Sequence, residues 1–204
     1  DLHSFPTRRS SDLWSWQKHE VIVDNDDAIK GNSYVETVNG KKWKKGKQPG
    51  FAATKALYSD GENPFEEASV RKAKATKKKN HSEISYQPQI PEAGRYAVYV
   101  SYQSLSKSVS DAKYIVYHKG QATEFSVNQK MGGGTWVYLG TFDFDKGCNM
   151  FNRVVVTNQA SSKGYVTSDA VRFGGGMGNI VRGEYNSRLP RCLEGTPKIG
   201  RAVQ

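Results

Sequence analysis

Residues 95–102 read RYAVYVSY, and this stretch decides the fold class. One set of alternate positions carries Tyr96, Val98, Val100 and Tyr102, and the other carries Arg95, Ala97, Tyr99 and Ser101. A period of two is the side-chain period of a β-strand with one buried face. Since the clearest periodicity in the chain is two rather than 3.6, we expect a fold built from strands.

Further short strands are expected on both sides of this stretch. Before it they cover residues 20–24, 34–38 and 84–90, and after it residues 112–118, 123–127, 136–144, 153–157 and 165–173. Turns rich in Gly, Asn and Asp separate them. Eight or nine short strands joined in this way predict an all-β fold, an antiparallel β-sandwich of the jelly-roll kind with long lysine-rich loops.

The composition fits one folded domain. The chain has 204 residues, of which 36% are hydrophobic, so it can bury one core and is unlike a disordered chain. No apolar run approaches the roughly 18 residues of a membrane span, and the N-terminus, which does not begin with Met, shows no signal-peptide pattern. The two cysteines, Cys148 and Cys192, are expected to be unpaired, with a structural disulfide as the alternative.

Both ends of the chain are expected to be foreign to the domain. Residues 4–13 (SFPTRRSSDL) and 198–204 (KIGRAVQ) reverse-translate, with ordinary codons, to a common short-read sequencing adapter in its two orientations. A natural polar tail at each end is the alternative. We therefore assign residues 1–13 and 198–204 to adapter sequence, and residues 14–177 to the domain.

The positive charge is concentrated in two short segments. The net charge of +10 falls to about +8 without the two ends. Eleven cations form two clusters, which are Lys41, Lys42, Lys44, Lys45 and Lys47, and then Arg71, Lys72, Lys74, Lys77, Lys78 and Lys79. A nucleic-acid interface normally interleaves aromatic residues with its cations, and here only Trp43 does so. We expect solvated loops and no nucleic-acid partner, with attraction to an anionic polymer as the alternative.

No catalytic arrangement is recognisable. The histidines are scattered without HExxH spacing, the GGGTW run at residues 132–136 lacks a following GK[ST], and no GxSxG is present. A lone strand carboxylate such as Asp169 is expected to accept hydrogen bonds from backbone amides or Arg. Asp24, Asp26 and Asp27 favour an Asx turn over a calcium site. We expect no enzyme activity from this chain alone, and no cofactor or metal.

Five motifs, taken in order, resemble the domain shared by the C-terminal part of golvesin and the carbohydrate-binding region of xanthan lyases. They are VIVDNDD (21–27), PEAGRYAVYVSY (91–102), DAKYIVYHKG (111–120), VNQKMGGGTWVYLG (127–140) and SDAVRFGGG (168–176). The resemblance covers about residues 20–177. The lysine-rich segment between Trp43 and Ser82 departs from the pattern, so nothing functional is carried over to it.

The resemblance implies an accessory role. Residues 178–197 resemble the linker that leads from this domain to a catalytic domain in xanthan-lyase-like or N-acetylmuramoyl-L-alanine amidase-like bacterial envelope proteins, although Cys192 stands where an aromatic is usual. The domain would then be a non-catalytic module that binds polysaccharide or peptidoglycan. Its parent would be an extracellular or envelope enzyme (periplasm or outer membrane). The alternative is a structural spacer in an amidase-like enzyme that binds no glycan.

A glycan site needs an aromatic platform beside amide or carboxylate groups, because sugars present apolar CH faces and fixed hydroxyls. Trp136 and Tyr138 lie on one face of their expected strand, and Asn128 and Gln129 lie across the glycine turn from them. These four are the glycan-binding candidates, and Tyr99, Tyr117 and Trp43 are weaker ones. The alternative is that Trp136 belongs to the core and that the three glycines serve a tight turn.

Overall fold

The computed structural model describes residues 20–26, 32–52 and 63–174. Their strands are β1 (Val21–Asp24), β2 (Ser33–Thr37), β3 (Lys44–Gly50), β4 (Ala68–Lys74), β5 (Glu83–Gln87), β6 (Gly94–Val100), β7 (Ala112–His118), β8 (Gln121–Val127), β9 (Val137–Phe144), β10 (Arg153–Thr157), β11 (Tyr165–Ser168) and β12 (Ala170–Phe173). A single-turn 3-10 helix, η1 (Pro64–Glu66), precedes β4. None of the described residues forms a helix that could cross a membrane. The expectations for residues 1–13, 178–197 and 198–204 lie outside this description.

The strands form three antiparallel sheets. A four-stranded sheet has the order β1-β12-β6-β9, a five-stranded sheet β2-β5-β10-β7-β8, and a three-stranded sheet β11-β4-β3. The main core contains side chains from both larger sheets, among them Val98 and Val171 from the first and Ile84, Val116 and Val154 from the second. The two larger sheets therefore pack face to face. The predicted all-β antiparallel sandwich is confirmed.

Strand β6 has the predicted alternation, but both of its faces are covered. Tyr96, Val98 and Val100 point into the main core, whereas Tyr99 belongs to a second apolar cluster and is only 1% exposed. β6 pairs with β9 through a register shift between Val98 and Tyr99, which leaves Leu139 without a partner as a β-bulge. The face that the alternation leaves for solvent is thus buried by a second layer of residues.

The lysine-rich segments differ from the expected loops. Six of the eleven clustered cations lie on β3 and β4, and the other five lie in the loops next to these strands. The strands are anchored by a few buried apolar residues, Trp43, Val70 and Ala73, between the basic ones. Gly46 fits against Val70, whose Cγ1 would be 2.6 Å from a Cβ at that position. The two clusters are therefore neighbours on one sheet.

The stretch expected as one strand over residues 165–173 is two strands in two different sheets. β11 pairs with β4, whereas β12 pairs with β1 and β6. Asp169 lies between them, and its backbone N–H donates to Ser101 O at 3.1 Å. The chain passes from one sheet to another at this residue, and its carboxylate contacts Phe51 and Ser101, which lie on neither β11 nor β12.

Candidate functional site

An aromatic cluster covers the outer face of the four-stranded sheet. It consists of Phe51, Phe65, Tyr99, Trp136 and Tyr138. The ring centroid of Trp136 lies 4.9 Å from that of Phe51 and 5.5 Å from that of Phe65, in tilted and edge-on geometry. Such contacts are favourable beyond the area they bury. Trp136 is 3% exposed, so Phe51 and Phe65 form a lid of side chains over it.

Local sequence explains how Phe65 reaches this position. Asn63 caps the 3-10 turn, since its Oδ1 accepts the backbone N–H of Phe65 at 3.1 Å, and Pro64 starts the turn. Ala52 N donates to Pro64 O at 3.1 Å, which ties this turn to the end of β3. The Asn-Pro dipeptide was a sequence signal for this turn, whereas no pattern indicated that Phe51 would join it.

Asp169 fixes the other half of the lid. Its two carboxylate oxygens lie 3.1 and 3.0 Å from the backbone nitrogen of Phe51, and Oδ2 accepts the Ser101 hydroxyl at 2.7 Å. This is the backbone-amide role expected for a lone strand carboxylate. Burial raises the pKa of Asp169 well above its usual value, and nearby Asp24 raises it further, although the bond from Ser101 opposes the shift.

A buried arginine lies against the same cluster. The guanidinium carbon of Arg172 is 4.1 Å from the ring centroid of Tyr99 and 5.3 Å from that of Trp136. A cation over an aromatic face is attracted by the ring quadrupole, most strongly where water is excluded. Arg172 is 1% exposed. Sequence reasoning quoted this residue within SDAVRFGGG but gave it no role.

Tyr138 is the partly exposed member of the cluster. Its ring centroid lies 5.3 Å from that of Tyr99, and its hydroxyl is 2.7 Å from Thr141 Oγ1. Trp136 and Tyr138 belong to the same cluster, while the intervening Val137 faces the main core. The structure therefore brings together these two candidates on one face, as their spacing predicts.

Gln129 and Asn128 contact other parts of the domain. Gln129 is 0% exposed, and its Nε2 donates to Tyr114 Oη at 3.0 Å and to Thr167 O at 2.7 Å. Its Oε1 accepts Thr167 N–H at 2.9 Å. Asn128 is half-buried, and its Oδ1 accepts Lys130 N–H at 3.2 Å. Within the described residues, no hydrogen bond joins either side chain to Trp136 or Tyr138.

The three glycines before Trp136 form a close turn. Gly132 and Gly134 have φ values of +75° and +70°, which favour glycine. At Gly133 a Cβ would lie 2.2 Å from the backbone nitrogen of Ser104. The run therefore lets the chain pass close to residues 103–104 before it enters β9.

The acidic residues at the end of β1 serve the backbone. Asp24 Oδ1 lies 3.4 Å from Asp26 N, in the arrangement of an Asx turn. Asp26 accepts from Ser69 N at 2.6 Å and from Ser69 Oγ at 2.7 Å. No group of three or more potential metal ligands is found among the described residues, and Asp27 lies outside them.

The weaker candidates have separate environments. Trp43 is buried in the main core, and Tyr99 supports Arg172 as described above. Tyr117 is half-buried on β7, where the guanidinium of Arg153 lies 4.3 Å from its ring centroid. Cys148 is exposed and free, and Cys192 lies outside the described residues.

A cleft of about 490 Å³ lies beside β7 and β8. Lys113 and Glu124, which line it, form an ion pair at 3.0 Å. Asp111, also in its lining, accepts the backbone N–H of Ser161 at 2.6 Å. Burial tends to raise the pKa of Asp111, but hydrogen bonds from Ser162 and Ser161 lower it below its usual value. The Asp111 carboxylate is thus ionised and engaged at neutral pH.

The fold and the outer-face cluster define an antiparallel β-sandwich module with an aromatic layer on one sheet. The chain matches the golvesin C-terminal domain over residues 21–175, which is most of its length, and it belongs to that family. The resemblance found in the sequence is confirmed.

Xanthan lyases contain similar domains. A xanthan lyase of Bacillus sp. (strain GL1) is 33% identical over 97 residues, which are 47% of this chain and 10% of that protein. The structure of a Paenibacillus xanthan lyase, at 26% identity, superimposes with a TM-score of 0.56 over 76% of this chain and 13% of that one. The chain thus corresponds to about a tenth of the length of these relatives.

Proposed function

We propose that this domain is a non-catalytic carbohydrate- or cell-wall-binding accessory module of a secreted or envelope bacterial enzyme. Its parent would degrade polysaccharide or peptidoglycan and would be xanthan-lyase-like or N-acetylmuramoyl-L-alanine amidase-like. The supporting observation is the match to the golvesin C-terminal domain together with the similarity to a small part of two xanthan lyases. A tethered binding module raises the local concentration of its catalytic domain on a polymer.

The proposed contact surface centres on Tyr138. Its partly exposed ring can stack on a sugar, while Trp136 belongs to the same cluster on the buried side, and half-buried Asn128 in the turn after β8 is the proposed polar group. Gln129 has its amide engaged within the protein, so in this proposal it orders the turn instead of contacting glycan directly.

Retention of the whole chain on isolated peptidoglycan and mobility in gels containing xanthan would test the proposal. Tyr138→Ala should weaken binding about tenfold, which corresponds to roughly 1.4 kcal/mol and is the size expected for one aromatic contact. Tyr34→Ala is the matched control, because it removes another half-buried strand tyrosine, which is not a glycan candidate, from a different sheet. If the folded wild-type chain is retained by neither polymer, the proposal fails.

A structural spacer in an amidase-like enzyme is the second candidate. It is favoured by Met150 and Phe151, adjacent residues that are 58% and 55% exposed and offer an apolar contact for a neighbouring domain. In this case Trp136→Ala would lower stability by about 3–5 kcal/mol without altering any glycan binding. Urea unfolding and the same gel assay would separate the two functions, since wild-type retention on glycan contradicts the spacer.

A further inference from the structure

The two lysine clusters, far apart in the sequence, lie side by side in the fold. Lys44 on β3 is the cross-strand partner of Lys72 on β4, and Lys74 follows two positions later on the same face. The adjoining loops are also in contact, because Asn158 Nδ2 donates to Lys74 O at 2.9 Å and Lys41 O at 3.5 Å. We call Lys44, Lys72 and Lys74, together with Lys41, Lys42, Lys77, Lys78 and Lys79 in these loops, the lysine surface.

The strand lysines of this surface carry charge that no ion pair among the described residues neutralises, although Lys77 lines the same cleft as Asp111 and Glu124. β3, β4 and β11 contain no acidic residue. Arg71, on the opposite face of β4, is bound by Glu36 at 2.6 Å, but Lys44, Lys72 and Lys74 form no ion pair with any residue that the structure describes. Like charges directly opposite on neighbouring strands destabilise a sheet. A cost of this kind indicates an external counter-charge.

One aromatic ring lies within the surface. The Nζ atom of Lys72 is 4.6 Å from the ring centroid of Tyr165, which is half-buried on β11 beside β4. The tyrosine holds the lysine side chain over the sheet by a cation–π contact. The charge of Lys72 on β4 is thus supported by the neighbouring strand β11.

We propose that the lysine surface binds an acidic polysaccharide whose carboxylates repeat along the chain. Charge complementarity supports this assignment, because neighbouring ammonium groups that form no ion pair within the described residues attract the carboxylates of a polymer. The surface is separate from the aromatic cluster and does not depend on Tyr138. It also falls in the segment that departs from the family pattern, so the binding belongs to this chain's own residues.

A polysaccharide suits the surface better than a nucleic acid. Single-stranded nucleic acids bind where several aromatic rings alternate with cations, and here Tyr165 is already covered by Lys72. Phosphate recognition also favours arginine, whose planar fork binds two oxygens, whereas the cations of this face are lysines. Ammonium groups on flexible stems match carboxylates without fixed geometry.

Binding of the whole chain to polygalacturonate, neutral dextran and double-stranded DNA, measured by gel mobility at increasing salt, tests this proposal. The variant Lys44→Gln/Lys72→Gln/Lys74→Gln should bind polygalacturonate at least about tenfold more weakly, and with a shallower dependence on salt. The control Arg95→Gln/Lys119→Gln/Lys146→Gln removes three exposed cations, one of them at the start of β6, and has the same net charge as the lysine-surface variant. It should lose less than about twofold.

Each outcome decides the proposal. Loss in the lysine-surface variant with retention in the control, and no binding to dextran, supports it. Equal loss in both variants would mean that net charge alone acts, and it overturns the proposal. Stronger binding to DNA than to polygalacturonate overturns the assigned polymer class. The three lysine substitutions on polygalacturonate decide the lysine surface, whereas Tyr138→Ala on peptidoglycan decides the aromatic site, so failure of one and failure of the other are distinguishable.

Discussion

Replacing Gln129 with alanine separates a structural role from a binding role. Three groups lose their partner in Gln129→Ala, namely the N–H and C=O of Thr167 and the hydroxyl of Tyr114. An unsatisfied buried polar group costs about 1–3 kcal/mol, and a water that enters the vacated space offsets part of this. Taking about 1 kcal/mol for each group, we expect a loss of about 3 kcal/mol.

Urea unfolding at pH 7 measures this loss. Trp43 and Trp136 are both buried, so their fluorescence reports on the core and on the aromatic cluster. For a chain of this size the same loss lowers the melting temperature by about 6–12 °C. Gln121→Ala is the matched control, since Gln121 is exposed at the start of β8 and its loss should cost less than about 0.5 kcal/mol.

A double-mutant cycle sharpens the test. Tyr114→Phe removes the hydroxyl that Gln129 Nε2 contacts, and the two changes should couple by about 1 kcal/mol because they share one hydrogen bond. A loss below about 1 kcal/mol in Gln129→Ala, or zero coupling to Tyr114, would refute the structural reasoning. Lost glycan retention in a variant of unchanged stability would instead return Gln129 to the binding site.

Three further changes have definite expected outcomes. The folded-state pKa of Asp169 lies above its unfolded value near 3.8, so this residue reduces stability as pH rises from about 4. Urea midpoints at several pH values should therefore show Asp169→Asn gaining stability relative to the wild type as pH rises. A stability difference that stays constant with pH would contradict this. Gly133→Ala would place Cβ 2.2 Å from Ser104 N, so thermal unfolding should show a loss of stability above about 1 kcal/mol. Gly120 has a positive φ but open space around it, so Gly120→Ala measures the effect of φ strain alone. Lys44→Thr should stabilise the domain by about 0.2–1 kcal/mol at low salt, and the gain should shrink in high salt if repulsion from Lys72 is its cause.

The strands of the two larger sheets could be predicted because their side chains alternate. Tyr96, Val98 and Val100 identify β6 without any partner, and the same pattern finds β7, whereas β10 is recognised by its continuous run of three valines. β3 and β4 give no such signal, since lysines occupy both sets of alternate positions on β3, and buried Val70 shares a face of β4 with Lys72 and Lys74. Their pairing with β11, from the far end of the chain, supplies the stability that local sequence does not show.

The candidate site was predictable only in part, because only its strand residues follow a periodic pattern. The spacing of Trp136 and Tyr138 predicts that they share one face, and the structure places both in the outer-face cluster, with Trp136 immediately before β9. Gln129 follows the end of β8, where period-two reasoning stops, and its partner Thr167 is 38 residues further along the chain. The lid of Phe51 and Phe65 comes from irregular segments, so sequence periodicity carries no information about it.

Asp169 links the two surfaces to which binding is assigned. It follows β11 of the lysine-bearing sheet directly, and it holds the backbone of Phe51, the residue after β3 and part of the lid on Trp136. Both outer strands of the three-stranded sheet therefore end at one carboxylate. Because that carboxylate also holds Ser101 after β6, movement of the lysine-bearing sheet relative to the aromatic cluster would break hydrogen bonds in a buried site. The lysine-bearing sheet and the aromatic cluster are thus held in a fixed relation by the hydrogen bonds of one buried carboxyl group.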